Sequence, residues 1–125
     1  MASFPAFTVP RPLMAALERG AVRLPLDGLG EAQGGAGVGR PLELVDPTGT
    51  FLAWTLSDSE NGFLYVLSRS PEDLPTDALL RRRVLEAFEL RAVLRLIPPD
   101  GRVGGSFRLV NADGDGFGGI VVDVY

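Results

Sequence analysis

The chain reads GSFRLVNADGDGFGGIVVDVY at residues 105–125, and this stretch decides how the remainder is interpreted. It begins with a short apolar run that includes Phe107 and Val110. A segment rich in glycine and aspartate follows, and a second apolar run covers residues 120–124. This order predicts a strand, a glycine-rich turn and a second strand. Because a strand rich in valine and isoleucine exposes its edge unless another element covers it, we expect the natural chain to continue past Tyr125.

The stretch resembles a segment of bacterial RNA methyltransferases of the ribosomal RNA large-subunit methyltransferase I type. That segment follows the pattern F/Y-R-L-V-x-x-E/D-G-D-G-x-x-G-ϕ-ϕ-V-D-x-Y, in which ϕ is an apolar residue. The family usually has proline before the last of these glycines, whereas this sequence has Gly118. The matching residues are Phe107, Arg108, Leu109, Val110, Asp113, Gly114, Asp115, Gly116, Gly119, Val122, Asp123 and Tyr125.

The resemblance implies a fold. Members of the family carry a PUA domain, then a small α+β domain of EEHEE type, then a class I S-adenosylmethionine (SAM)-binding domain. We therefore expect an α+β chain, with a β-rich PUA-like pseudo-barrel in residues 1–60 and an EEHEE-like region in residues 61–125. The Rossmann-type methyltransferase domain would follow Tyr125 and is absent from this sequence.

The resemblance also implies a function. The chain would be the N-terminal, substrate-positioning region of a SAM-dependent methyltransferase that acts on ribosomal RNA, of the cytosine-C5 type. In the family the cofactor-binding and catalytic residues, including a cysteine, lie in the following domain. We therefore expect this chain to contain no catalytic residue and to bind no cofactor, with SAM implied only for the full-length family member.

Composition limits the other function classes. The sequence has no His and no Cys, which removes most zinc, haem and iron–sulfur sites and any cysteine nucleophile. No apolar run approaches the roughly 18 residues of a membrane span, and the N-terminus lacks the features of a signal peptide. The expected location is therefore cytoplasmic, without a membrane partner.

The charge of the chain limits its affinity for RNA. Its net charge is −4, and affinity for nucleic acid comes chiefly from neutralised phosphates. We therefore expect ribosomal RNA to bind the chain alone only weakly. Arg19, Arg23 and Arg40 are the candidate RNA contacts, because they lie in the PUA-like region. The aromatic strand motif that the family carries near residues 19–24 is missing here.

Three strands are predicted between residues 41 and 69, over residues 41–45, 50–56 and 63–69. The first connection, Asp46-Pro47-Thr48-Gly49, has the residues that a β-turn favours at its first, second and fourth positions. The second contains Asn61-Gly62, a strong hairpin signal. Both faces of the middle strand are largely apolar, which predicts a central position in the sheet.

A helix is predicted to begin after Thr76 and to end at Pro98. Glu86 follows the run of Arg81, Arg82 and Arg83 at the spacing of intrahelical ion pairs, so we interpret the run as a solvated face. Apolar residues at helical spacing predict one buried stripe. Its members are Leu80, Val84, Leu85, Phe88, Ala92 and Leu96.

The glycine-rich segment imitates two binding motifs without completing either. Residues 111–116 resemble the start of an EF-hand loop, but the twelfth position is Val122 where a bidentate glutamate is needed. The glycines also match G-x-G-x-x-G, but a strand follows them where a dinucleotide site needs a helix. We therefore predict no metal site and a structural role for Arg108, Asp113, Asp115, Gly119 and Asp123, with the aspartates accepting hydrogen bonds in the turn.

Two alternatives stay open. The chain can be a stand-alone interaction or structural domain that docks through its final strand, or an enzyme of another class whose acidic loop holds a metal. The exposed edge of that strand also predicts a homodimer through residues 119–125. In that arrangement Val122 lies on the strand face that packs against Leu85 and Phe88.

Overall fold

The computed structural model describes residues 4–27, 37–94, 97, 106–111 and 121–124. The chain divides into two compact units, Met1–Pro75 and Thr76–Tyr125. The first contains a helix and a five-stranded sheet that curls as a half-barrel, and the second contains a helix and a two-stranded sheet. The α+β class is therefore confirmed, while the PUA-like identity of the first unit stays a prediction.

The described residues of the first unit form one short helix and five strands. The helix α1 covers Arg11–Glu18. The order across the sheet is β1-β3-β4-β5-β2, in which β1 runs parallel to β3 and all other neighbours are antiparallel. The strands are β1 (Ala6–Thr8), β2 (Arg23–Pro25), β3 (Val38–Val45), β4 (Phe51–Asp58) and β5 (Phe63–Ser68). The three strands predicted after residue 40 are present, and β4 is central as expected.

The boundary between the units differs from the one drawn from the sequence. We placed it between residues 60 and 61, inside the connection from β4 to β5. Those two strands pair with each other, and β5 also pairs with β2, so β5 belongs to the first sheet. A hairpin is held by the hydrogen bonds between its strands, which explains why the compact unit extends to Pro75.

The turn between β3 and β4 follows its sequence signal closely. The Oδ1 atom of Asp46 accepts hydrogen bonds from the Thr48 hydroxyl at 2.6 Å and from the backbone N–H groups of Thr48 at 2.8 Å and Thr50 at 2.9 Å. Gly49 has a φ of 87°, a conformation that side chains disfavour. The hydroxyl of Thr48 and the N–H of Thr50 lower the pKa of the Asp46 carboxyl.

The core of the first unit lies between α1 and one face of the sheet. A buried polar group in this region is satisfied, because the Thr55 hydroxyl donates to the Leu42 carbonyl at 3.1 Å. Arg69, just after β5, donates to the carbonyls of Leu17 and Ala21 and so ties the end of α1 to the sheet. The buried core residues are Val9, Leu13, Leu17, Leu24, Leu26, Leu42, Leu44, Ala53 and Leu64.

The second unit packs one helix on a hairpin. The helix α2 covers Asp77–Val93, and β6 (Phe107–Asn111) runs antiparallel to β7 (Val121–Val124). Ala87 of α2 and Val110 of β6 form the buried contact between them. Of the EEHEE-like order expected in residues 61–125, the second unit therefore shows the helix and the two strands that follow it.

The predicted buried stripe of α2 is wrong. Leu79, Ala87 and Arg91 are buried instead, whereas the predicted Leu80, Val84, Leu85 and Phe88 are 37–60% exposed. Ala92 is exposed as well, and Leu96 lies outside the described residues. Apolar residues occur on more than one side of this helix, so spacing alone does not select a face. The small side chain of Ala87 lets β6 approach closely, and this packing decides which face of α2 is buried.

Candidate functional site

The three arginines predicted to contact RNA lie on separate elements of the first unit. Arg19 follows α1, Arg23 begins β2 and Arg40 lies in β3. All three are exposed. Because β5 and β4 lie between β2 and β3, Arg23 and Arg40 are three strand spacings apart, about 14 Å along the sheet at roughly 4.8 Å each. The structure therefore does not bring these two arginines into one cluster.

Arg23 has the most defined surroundings of the three. Its guanidinium carbon lies 4.8 Å from the centre of the Phe63 ring, a cation–π contact. The sheet register places Arg23 opposite Tyr65, and the rings of Phe63 and Tyr65 are 6.3 Å apart. One exposed guanidinium and two aromatic rings therefore lie side by side where β2 pairs with β5. We call Arg23, Phe63 and Tyr65 the β2–β5 surface.

The aromatic residues of the β2–β5 surface were not predicted from the sequence. Residues 19–24, around Arg23, include no aromatic residue. The available signal was the alternation Phe63-x-Tyr65, which places both rings on one face of a strand. The pairing of β5 with β2 brings those rings to Arg23 from about 40 residues away, and local spacing does not reveal such a pairing.

An acidic side chain lies beside the β2–β5 surface. The Oδ2 atom of Asp58 accepts hydrogen bonds from the Asn61 side-chain amide at 2.7 Å and from the Tyr65 hydroxyl at 3.3 Å. The side-chain amide and backbone N–H of Asn61, together with the Tyr65 hydroxyl, lower the pKa of the Asp58 carboxyl. The lowered pKa keeps Asp58 negatively charged at neutral pH, so this part of the sheet carries charges of both signs, from Arg23 and Asp58.

Arg40 and Arg19 occupy less enclosed positions. The backbone N–H of Arg40 donates to the Ser57 hydroxyl at 3.1 Å, next to an irregularity in the β3–β4 pairing. The Arg40 side chain lies close to Gly37. A Cβ atom added at Gly37 would be only 2.9 Å from the Cδ atom of Arg40. The backbone N–H of Arg19 donates to the Ala15 carbonyl at 3.1 Å. Both guanidinium groups are suited only to isolated phosphate contacts.

The second unit contains two of the motif residues in direct contact. Arg108 and Asp123 are opposite each other in the β6–β7 pairing. The Nε of Arg108 donates to Oδ1 of Asp123 at 2.8 Å, and Nη2 lies 3.4 Å from Oδ2. Arg108 lowers the pKa of the Asp123 carboxyl through this hydrogen bond. Asp113, Asp115 and Gly119 lie outside the described residues, and their structural roles stay predictions.

The basic run of α2 is partly paired within the helix. The Nε of Arg82 lies 3.5 Å from one Glu86 carboxylate oxygen, and the Nη1 of Arg83 lies 3.9 Å from the other. Exposed pairs of this kind contribute about 0.3–0.5 kcal/mol to stability. These contacts agree with the interpretation of the run as a solvated face.

The described residues include no group of three or more Asp, Glu, His or Cys side chains arranged to hold a metal ion. Most of the acidic glycine-rich segment, residues 112–120, lies outside them. None of the described helices has the length and apolar content needed to cross a membrane.

Two solved structures share the fold of this chain. One is SMU.776, a candidate methyltransferase complexed with SAH, with a TM-score of 0.77 and 20% identity over 98% of this chain and 30% of that protein. The other is a candidate SAM-dependent methyltransferase from Streptococcus mutans, with a TM-score of 0.75 and 20% identity over 98% of this chain and 31% of that protein. No protein-family model and no curated protein matches the sequence. The chain thus has the fold of a region that spans less than a third of these two proteins.

Proposed function

We propose that the chain is the RNA-positioning region of a SAM-dependent methyltransferase. The fold that it shares over 98% of its length with SMU.776, whose structure holds SAH, carries the proposal. A SAM-binding domain of class I needs a parallel sheet with helices on both sides. The described residues instead form a mixed five-stranded sheet and a separate hairpin. This difference supports a role in holding substrate, with the transfer performed elsewhere in the enzyme.

In this proposal the first unit is the PUA-like domain, and RNA binds at its β2–β5 surface. An arginine guanidinium neutralises phosphate, and an accessible aromatic ring stacks on an unpaired base. Phe63 is half-buried and would supply this ring, whereas Tyr65, at 8% exposure, lies beneath the surface. The 4.8 Å contact holds the Arg23 guanidinium over the Phe63 ring, so both groups are available at the same edge of the sheet. Arg19 and Arg40 supply outlying phosphate contacts. Ribosomal RNA as substrate and cytosine C5 as the modified atom rest on the motif in residues 107–125.

The experiment is a binding titration of fluorescent single-stranded ribosomal RNA fragments with the purified chain. Replacing Arg23 with Gln removes one positive charge from the β2–β5 surface. The expected result is weaker binding and a salt dependence reduced by about one unit of slope. Replacing Arg82 with Gln, which also removes one positive charge but from α2, is the matched control. This variant is expected to leave the RNA affinity and the salt slope unchanged. Equal losses in the two variants would contradict the proposed surface.

A protein-interaction domain is the second candidate function. Val121 and Val122 of β7 are 48% and 38% exposed, and among the described residues β7 pairs with β6 alone. A strand with one free edge can extend its sheet with a strand of another chain. This candidate includes the homodimer through residues 119–125. Leu85 and Phe88, which were expected from the sequence to pack on that strand, are 60% and 45% exposed.

A further inference from the structure

One side of α2 carries a contiguous set of exposed apolar side chains. Leu80, Val84, Leu85 and Phe88 are 37%, 39%, 60% and 45% exposed. Residues three or four positions apart are neighbours on a helix surface. Leu80–Val84, Val84–Phe88 and Leu85–Phe88 have this spacing, so the four side chains form one patch, here called the α2 patch. A groove of about 460 Å3 follows it, lined by Leu80, Arg81, Val84 and Leu85. Contiguous exposed apolar surface of this kind marks an interaction site.

Two charges flank the α2 patch. Arg81 and Glu89 are exposed, and neither forms an ion pair with another described residue. Eight helical residues advance about 12 Å and turn about 80° beyond two full turns, so Arg81 and Glu89 lie toward the same side of the patch. Midway between them is Leu85, the most exposed member of the patch. Leu85 is therefore the midpoint of the two charges along the helix and also a central member of the α2 patch.

We propose that the α2 patch binds the same patch on a second copy of the chain, as an antiparallel helix pair with two-fold symmetry. A two-fold axis near Leu85 places this residue against its own counterpart, because an isologous interface joins identical surfaces. It also places Arg81 of each copy opposite Glu89 of the other, which forms two ion pairs. A parallel, in-register pair would place Arg81 beside Arg81. The charge pattern therefore fits the antiparallel copy.

The size of the α2 patch sets the strength of the association. Four partly exposed side chains fall well short of the roughly 800 Å2 per partner in a standard interface. The dimer is therefore weak and reversible. This inference does not depend on the methyltransferase proposal, since it uses only the surface of the second unit.

The first test measures the oligomeric state of the whole 125-residue chain by sedimentation equilibrium between about 1 µM and about 500 µM. The wild type is expected to form a dimer within this range. Leu85→Glu places a charge at the centre of the interface and is expected to abolish it. Leu90→Glu, at a residue that is 48% exposed and about 140° around α2 from Leu85, is the matched control and retains the dimer. Circular dichroism confirms that both variants fold.

A charge reversal provides a second test that leaves the apolar packing intact. Arg81→Glu places two acidic groups opposite each other and is expected to raise the dissociation constant at least about tenfold. Combining it with Glu89→Arg is expected to restore the wild-type value, since the ion pairs form again with exchanged partners. A monomeric wild type across the whole range would overturn the proposal and leave the patch to a different partner. A dimer that survives Leu85→Glu and Arg81→Glu but is lost in Val122→Pro would also overturn it, in favour of the β7 edge.

Discussion

At the scale of single residues, several carboxylates are held in their charged form by local hydrogen bonds. The pKa of Asp123 is lowered by Arg108, that of Asp46 by Thr48 and Thr50, and that of Asp58 by the Asn61 side chain. A carboxyl whose folded pKa lies below its unfolded value stabilises the fold above the unfolded pKa. That contribution is lost as the pH falls through the lower, folded pKa.

These shifts predict an acid-dependent loss of stability. The unfolded reference value is 3.8, so the contribution of Asp123 is complete well above this pH and falls below it. Asp123→Asn is expected to lower the melting temperature at pH 7, and to make a smaller difference as the pH falls below 3.8 and the wild-type carboxyl becomes protonated. Thermal melts over this pH range, followed by circular dichroism, measure the effect. A difference between wild type and variant that grows toward low pH would contradict the assignment.

Arg91 is the residue whose removal should most affect the second unit. It is 9% exposed, its Nε donates to the Arg108 carbonyl at 3.0 Å, and its Nη1 lies 3.4 Å from the Ala87 carbonyl. Arg91→Met retains much of the volume but removes these donors. The expected loss in the free energy of unfolding is about 2–3 kcal/mol, the range for hydrogen bonds to charged groups. Arg82→Met, on an exposed part of the helix, is the control and should cost less than about 0.5 kcal/mol in urea denaturation.

At the scale of elements, the sequence predicted those features that depend only on residues close together in the chain. The turn at Asp46 and the hairpin connection at Asn61-Gly62 form as expected, because their residues specify the backbone conformation directly. The start of α2 after Thr76 was also predicted, but the helix ends at Val93 and not at Pro98, and its buried face was not predicted. That face depends on which side chains fit β6, and β6 follows more than a dozen residues later in the chain. For the same reason, the contact between Arg23 and Phe63 could not be predicted from local spacing.

The packing of α2 on β6 predicts a contrast between two alanines of the helix. Ala87 is 2% exposed and contacts Val110, whereas Ala92 is exposed. Ala87→Leu adds volume to a closed contact and is expected to destabilise the chain by about 1–3 kcal/mol. Ala92→Leu makes the same change on the exposed side and should fall within about 0.5 kcal/mol of the wild type. If urea denaturation gave the opposite order, the buried face assigned to α2 would be incorrect.

At the scale of the whole molecule, the proposed function separates substrate binding from methyl transfer. The family resemblance rests on about twenty residues at the end of the sequence, whereas the fold shared with SMU.776 covers 98% of the chain. The position of the proposed RNA-binding surface did not follow from the motif, because β2 and β5 meet only in the folded sheet. The described part of the chain presents no nucleotide-binding strand, glycine loop and helix in sequence.

The first whole-molecule prediction concerns the cofactor. The purified chain is expected to show no saturable binding of SAM tighter than about 100 µM, which corresponds to roughly −5.5 kcal/mol. Isothermal titration calorimetry with SAM and with S-adenosylhomocysteine measures this directly. Saturable binding below that concentration would place a cofactor site in this chain and contradict the separation of roles.

The central claim, that this chain positions RNA, is tested most directly by nuclear magnetic resonance. A titration of the labelled chain with single-stranded ribosomal RNA is expected to shift the signals of Arg23, Phe63 and Tyr65 first. Because phosphate contacts release counterions, the affinity should fall with salt, with a slope of about −1.4 to −2.1 on logarithmic axes for two or three contacts with a single strand. Shifts confined to the second unit, or no shifts at millimolar RNA, would contradict the account.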